Sequence, residues 1–324
     1  MKFSVALCTY NGADFLSEQL ESIIAQSRPP DEIVVCDDGS TDETQTLLKQ
    51  FVATSPVPVS LHFNEKNLGS GKNFEKAIKL CTGDVIALSD QDDVWRADKL
   101  QLIENAFSQA PKAGLVFSDA EIVDEHLKPL GKRMWDQVGF DAHKRKLIRS
   151  GRALEVLITG WTVTGATMAF RSEFLKVALP FPDGIAMIHD GWIALTVAAV
   201  TEVLMIEEPL IKYRQHGRQQ IGAPSRSDTE AEAGIVEAFR RRNSAADLHK
   251  ILMTLEQRLV AQSGSYDTRS ALSFVGDYSF HLTVRANLPQ NRLNRLPTIL
   301  RELMTRRYHE YANGFKSAAK DLVS

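Results

Sequence analysis

Short apolar runs that do not alternate with polar residues constrain this chain most. They are Phe3–Thr9 (FSVALCT), residues 32–36 (EIVVC), Val59–Phe63 (VSLHF) and residues 84–88 (DVIAL). A strand with one wet face alternates apolar and polar residues, whereas a continuous run needs cover on both faces. Helical patterns separate these runs and can supply that cover. Residues 14–26 place Phe15, Leu16, Leu20, Ile23 and Ile24 on one face before Pro29-Pro30 ends the element, and residues 41–51 and 73–80 follow suit. Strand and helix in alternation predict an α/β fold, a mostly parallel sheet with helices on both faces.

In such a sheet ligands bind beyond the carboxyl ends of the strands. The loops expected on that rim are Thr9-Tyr10-Asn11-Gly12, then 37–42 (DDGSTD), 64–69 (NEKNLG) and Asp90-Gln91-Asp92-Asp93. They are small, polar and acidic, which suits a nucleotide with a metal. The fourth is the most informative, because a buried run empties into three carboxylates within four residues. Like charges this close repel and partly desolvate one another. Mg²⁺ or Mn²⁺, which prefer carboxylate oxygen, would relieve that cost, while a solvated acidic turn or a helix cap is the alternative.

Four further motifs admit two readings each. The loop Gly69-Ser70-Gly71-Lys72 is no P-loop, since Lys66 stands where glycine is required and Asn73 where Ser or Thr is required. Lys72 could approach a phosphate at the following helix start, or simply be solvated. Asp38 could accept from a pyrimidine N3–H or bind ribose hydroxyls, with Ser40 or Thr41 starting the next helix. Asp190 could be a general base towards a sugar hydroxyl or the N-cap of the apolar helix from Gly191. His216, in the stretch 212–217 (KYRQHG), could join the metal or be a solvated loop histidine.

A net charge of −3 gives no reason to expect nucleic-acid binding or a general affinity for anionic membranes. Cys8, Cys36 and Cys81 are odd in number and form no CxxC, which fits reduced thiols in the cytoplasm. No secretory leader is expected, and the longest apolar run, 191–201, is too short to span a bilayer. Residues 223–234 are polar and weakly patterned, the best linker candidate, and residues 235–262 and 298–312 read as helical. Two domains are therefore expected, 1–222 and a helical extension 223–324.

Taken together, VALCTYNG, EIVVCDDGSTD, NLGSGKNF, ALSDQDDVW, TGATMAF, HDGW and YRQHG resemble family 2 glycosyltransferases of the GT-A fold. The pairing of SDQDDVW with YRQHG is most similar to bacterial rhamnosyltransferase-type members. The resemblance implies that Thr9, Asn11 and Asp38 line the nucleotide, with Lys72 near the phosphates. It further implies that Asp90 and Asp92 form the acidic pair touching ribose and metal, that His216 is a metal ligand, and that Asp190 is the acceptor base. The usual glutamate before that base is His189 here, and no QxxRW follows, which argues against a processive synthase. The implied reaction is inverting transfer from a pyrimidine nucleotide-diphosphate sugar, dTDP-rhamnose or a UDP-sugar, to a saccharide or lipid-linked saccharide. The rival readings are a sugar-phosphate nucleotidyltransferase and a non-catalytic nucleotide-sugar-binding subunit. A homodimer is compatible with either. Finally, residues 285–324 carry eight Lys and Arg against three acids, with Leu296, Ile299, Leu300, Leu303 and Met304 at helical spacing. Such a segment could lie on the inner face of an anionic membrane, or pack with its charges solvated.

Overall fold

The computed structural model describes residues 1–160, 162–217 and 244–323. Contacts divide it into two compact units. The first holds Met1–Asp183 and the chain onward from Met187, and the second holds Gly184–Ala186 with the C-terminal helices.

The first unit is built on a nine-stranded sheet. Strands β1 (Phe3–Thr9), β2 (Glu32–Asp37), β3 (Val59–Phe63) and β4 (Val85–Ser89) lie side by side in the order β3-β2-β1-β4, all parallel. Every residue of β1 and β4 is buried, as continuous apolar runs require. Helices α1 (Ala13–Ile24), α2 (Thr44–Thr54) and α3 (Ser70–Leu80) make the crossovers. Beyond β4 come β5 (Val94–Trp95), α4 (Lys99–Gln109), β6 (Ala113–Val123) and β7 (Pro129–Arg133). Short helices α5 (Met134–Gln137), α6 (Ala142–Arg149) and α7 (Ala153–Leu157) lead to β8 (Met168–Arg171) and α8 (Leu175–Ala178). The unit closes with α9 (His189–Ala198) and the long strand β9 (Glu202–Arg214). The sheet continues from β4 as β8-β6-β9-β5, with β8 and β5 antiparallel to their neighbours and β6 parallel to β9.

Three boundaries differ from expectation, each for a local reason. β8 begins at Met168, although residues 159–171 (TGWTVTGATMAFR) read in sequence as one glycine-bearing strand. The preceding Gly165–Thr167 is a 3-10 turn, because the Gly165 amide is taken by the Asp190 carboxylate rather than by a neighbouring strand. Ser40 and Thr41 do not start α2; the Ser40 amide and hydroxyl both bind Asp37, and the helix begins at Thr44. α3 starts at Ser70, because Gly69 at φ +81° ends the preceding loop in a conformation that favours glycine.

The second unit is helical: α10 (Ala245–Gln262), α11 (Arg269–Ala286), α12 (Arg292–Met304), α13 (Arg307–Tyr311) and α14 (Phe315–Val323). The helix expected over 298–312 is therefore two, beginning six residues earlier under an Asn291 cap and broken at Arg306, whose φ is +62°. Ile299, Tyr308 and Ala318 form its small core with Leu288, Leu303, Ala312 and Leu322. The linker candidate 223–234 and the stretch 235–243 lie outside the described residues. Among the described residues no helix is long and apolar enough to cross a membrane.

Candidate active site

The carboxyl ends of β1, β2 and β4 share one edge, and their loops are bonded into a frame. Asp37, fully buried, accepts from Ser40 N, Ser40 Oγ, Gln45 Nε2 and Thr9 Oγ1, the last at 2.8 Å. Asp38 accepts from Asn64 Nδ2 and Leu68 N at 2.8 Å and from Gly69 N at 2.9 Å. A carboxylate offers about four lone-pair directions, so three of Asp38's hold the loop ahead of α3. Asn11, at φ +47°, accepts from Thr41 N through Oδ1 and stays exposed at the rim. The β4 loop is tied to the β1 loop by Gln91, whose amide accepts from Tyr10 N at 2.8 Å and donates to Tyr10 O at 3.0 Å. That approach explains Gly12, because a Cβ there would meet Gln91 Oε1 at 2.1 Å.

The acidic cluster is held without enough positive charge. Burial, then Asp92 and Asp190, push the Asp90 carboxyl up to about 7. Asp93 is fully buried and raised well above its usual range by burial, then by Asp92 and Asp90. Its Oδ1 accepts from Arg214 N at 3.1 Å, while Oδ2 has no hydrogen-bond partner among the described residues. Beneath the cluster Lys99 is itself fully buried; burial lowers it to about 7 against the pull of Asp93 and Asp90. It donates to Ala166 O at 2.6 Å and lies 3.7 Å from the Trp95 ring centroid. A desolvated cation–π contact is worth about 2 kcal/mol, less than the several kcal/mol that burying an ammonium costs, so Lys99 depends on the carboxylates above it.

Asp92 is brought to His216: Oδ2 and Nε2 stand 2.9 Å apart, and the imidazole rests 4.4 Å from the Phe15 ring. The neighbouring Arg214, with a fully buried side chain, fastens this pair. Its Nε donates to Asp92 O at 2.8 Å, Nη1 to Glu125 O and Nη2 to Glu18, and the guanidinium sits 4.6 Å above Phe15.

Asp190 occupies the first turn of α9, but Ile188 is the N-cap residue. Its carboxylate accepts from Gly165 N at 3.0 Å and Gly191 N at 2.6 Å. Burial raises its pKa, outweighing His189 and those two amides, which lower it. His189 stacks on Phe74 with centroids 4.3 Å apart, and burial pushes its imidazole pKa down. Lys72 lies apart from this cluster, half-exposed at 43% and paired at 3.4 Å with Glu75 and with Asp183. Lys99 and Arg214 were not singled out from sequence, and Gln91 and Asp93 were read only as parts of the acidic loop, without roles of their own. Arg214 carried a signal as a charge closing strand β9 inside YRQHG, and Asp93 as the third carboxylate of the acidic loop.

The donor set fits a hard divalent cation. Mg²⁺ and Mn²⁺ sites commonly take one or two protein ligands and complete the shell with water and substrate phosphate. Asp92 and His216 are such a pair, and the raised Asp90 and Asp93 show negative charge in want of a counter-ion. Among the described residues no three His, Cys, Asp or Glu side chains gather closely enough to enclose an ion by themselves.

The glycosyl transferase family 2 model matches residues 4–178, more than half of the chain. An uncharacterized glycosyltransferase of Nostoc sp. (strain PCC 7120) is 31% identical over 243 residues, 72% of each chain. The dTDP-rhamnosyl transferase RfbG of Shigella flexneri is 30% identical over 233 residues, covering 67% of this chain and 74% of RfbG. Among solved structures, S. aureus TarS 1–349 in complex with UDP-GlcNAc superposes with a TM-score of 0.59 at 15% identity, covering 99% of this chain and 91% of that one. The chain belongs to glycosyl transferase family 2, and its fold is the GT-A arrangement with C-terminal helices added.

Proposed function

We propose that this protein is an inverting glycosyltransferase that moves a sugar from a pyrimidine nucleotide-diphosphate sugar, dTDP-rhamnose or a UDP-sugar, to a hydroxyl of a saccharide or lipid-linked saccharide in surface polysaccharide synthesis. The observation that carries the reading is a pair of carboxylates in different surroundings, Asp92 and Asp190, that both act on Asp90. Asp92 is paired with an imidazole, whereas Asp190 is a buried carboxylate oriented by two backbone amides with its pKa raised. The likeness to RfbG supports the choice of donor.

In this reading the rim residues Thr9, Asn11 and Asp38 frame the nucleoside, and Asp90 faces the ribose. Lys72 can turn to the diphosphate, since its exposed pair with Asp183 is worth at most about 1 kcal/mol and the buried Glu75 keeps Lys79 as a partner. Mg²⁺ or Mn²⁺ bound by Asp92 and His216 would neutralise the leaving diphosphate, a Lewis-acid contribution of several kcal/mol. Asp190 takes the proton from the acceptor hydroxyl as its oxygen attacks the anomeric carbon opposite the diphosphate. The bond from carbon to the diphosphate oxygen breaks in the same displacement, so no covalent glycosyl-enzyme forms. The three free thiols, Cys8 and Cys36 buried among them, suit a cytoplasmic setting.

The rival nucleotidyltransferase reading would place cations on the loop after β1 for a triphosphate, and residues 9–12 supply none. Incubation with dTDP-rhamnose and UDP-sugars, Mn²⁺ and saccharide acceptors should release nucleoside diphosphate and yield a product of inverted anomeric configuration by NMR. Pyrophosphate release would favour the nucleotidyltransferase, retained configuration would remove Asp190's role, and absence of turnover across the donors would favour a binding subunit.

A further inference from the structure

α12 (Arg292–Met304) has two apolar faces. Ile299 and Leu303 turn inward to the small core of the second unit. Leu293, Leu296, Leu300 and Met304 turn outward, with 81%, 43%, 49% and 85% of their surface exposed. At about 100° per residue these four fall within an arc of about 80°, a continuous stripe along the whole helix. Arg292 and Arg301 are exposed on either side of it, and Arg306 is exposed just past the helix end. The one acid of the helix, Glu302, is 2% exposed and points inward to His281 Nδ1, at 2.8 Å, and to Arg307. The outer face of α12 is thus apolar and cationic, with no counter-charge of its own. α14 repeats the pattern, with Phe315 and Val323 exposed at 70% and 60% beside exposed Lys316 and Lys320.

We infer that the outer face of α12 docks on an anionic lipid surface, the four apolar side chains entering the headgroup boundary and the flanking arginines meeting lipid phosphates. Charge decides between this occupant and a second copy of the chain. An isologous pairing of the stripe would bring Arg292 and Arg301 of two copies together with no acid between them, whereas anionic lipid supplies the missing charge.

Full-length protein is sedimented with vesicles of pure phosphatidylcholine and with vesicles of equimolar phosphatidylcholine and phosphatidylglycerol, at low and high salt. No sugar substrate is present, so the result is independent of the glycosyl-transfer reading. Binding to the phosphatidylglycerol vesicles at low salt, weakened by high salt and absent on phosphatidylcholine alone, is expected. R292E/R301E should lower the partition coefficient by about tenfold or more, and L293D/M304D should abolish binding. All four positions are exposed, so circular dichroism should show both variants folded. Failure of the wild-type chain to sediment with phosphatidylglycerol vesicles at low salt overturns the inference. So does unchanged binding by both variants, or a concentration-dependent dimer in solution that L293D/M304D dissolves.

Discussion

Asp190→Asn separates basicity from geometry. Gly165 N binds Oδ2 and Gly191 N binds Oδ1, so the asparagine keeps an acceptor for one of these two amides, and Ile188 remains the N-cap. The amide left without an acceptor costs about 1–3 kcal/mol, which relief of the buried acid's desolvation partly offsets, so the melting temperature should fall only slightly. Donor binding should persist while kcat falls by about 10²-fold or more, the usual weight of a general base. The sign of the pH effect follows from the raised pKa. A base works ionised, so the rate of the unaltered enzyme should fall as pH drops through that raised value, and the variant should lack this acid limb. A variant that keeps its rate and its limb would strip Asp190 of the role. At Asp92 charge repulsion sets the outcome. Asp92 raises both Asp90 and Asp93, so Asp92→Ala should leave the protein folded, yet Mn²⁺-dependent nucleotide binding by calorimetry should vanish. Unchanged affinity in Mn²⁺ would place the metal elsewhere.

Arg214, at the end of β9, holds the acidic loop from several sides. Arg214 spans the Asp92 carbonyl, the Glu125 carbonyl and Glu18, and its own amide caps Asp93, so the strand's last turn of backbone fixes where Asp92 meets His216. Arg214→Lys keeps the charge but loses the planar fork, leaving backbone carbonyls unpaired at a cost of about 1–3 kcal/mol each. Groups that hold a metal ligand from behind typically change metal affinity by about 10–100-fold. The Mn²⁺ concentration for half-maximal activity should rise by that factor; a variant merely less stable would melt earlier with its Mn²⁺ titration unmoved. Arg214 also shows where the sequence stops being readable. β1 to β4 were legible because continuous apolar runs have one structural solution, and Asp92, Asp190 and His216 were legible as motif residues. β6 (Ala113–Val123) was not, because Ser118 and Asp119 interrupt its run, nor was β5, only two residues long. Lys99 reads as a solvated lysine at a helix start. Its burial comes from Ala166, 67 residues away, and from a carboxylate cluster that only the folded sheet assembles. Likewise Asp38 looks like a ligand contact in sequence, while the fold commits most of its lone pairs to Asn64, Leu68 and Gly69.

At the scale of the molecule, the distribution of tryptophan gives a direct reading of one unit alone. Trp95, Trp135, Trp161 and Trp192 are the only four in the chain, and all precede residue 218. Of these, Trp95, Trp135 and Trp192 are buried around the sheet, Trp95 in van der Waals reach of Lys99 beneath the acidic loop. The α10–α14 unit contains none. A thermal melt followed by tryptophan fluorescence therefore reports the unfolding of the sheet unit, whatever the helical unit does, and avoids treating two cores as one transition. A ligand that binds only the folded sheet unit, supplied at 100 times its Kd, stabilises it by about 2.7 kcal/mol. For a unit of this size that amounts to a shift of about 5–10 °C. UDP or dTDP with Mn²⁺ should produce it, and removal of the metal by EDTA should reverse most of it, because the acidic loop then offers the diphosphate no cation to bridge the two. GDP and ADP should shift the transition less, since the frame around Asp38 is read as selecting a pyrimidine. Equal shifts from purine and pyrimidine diphosphates would show that the pocket grips the phosphates and leaves the base unread.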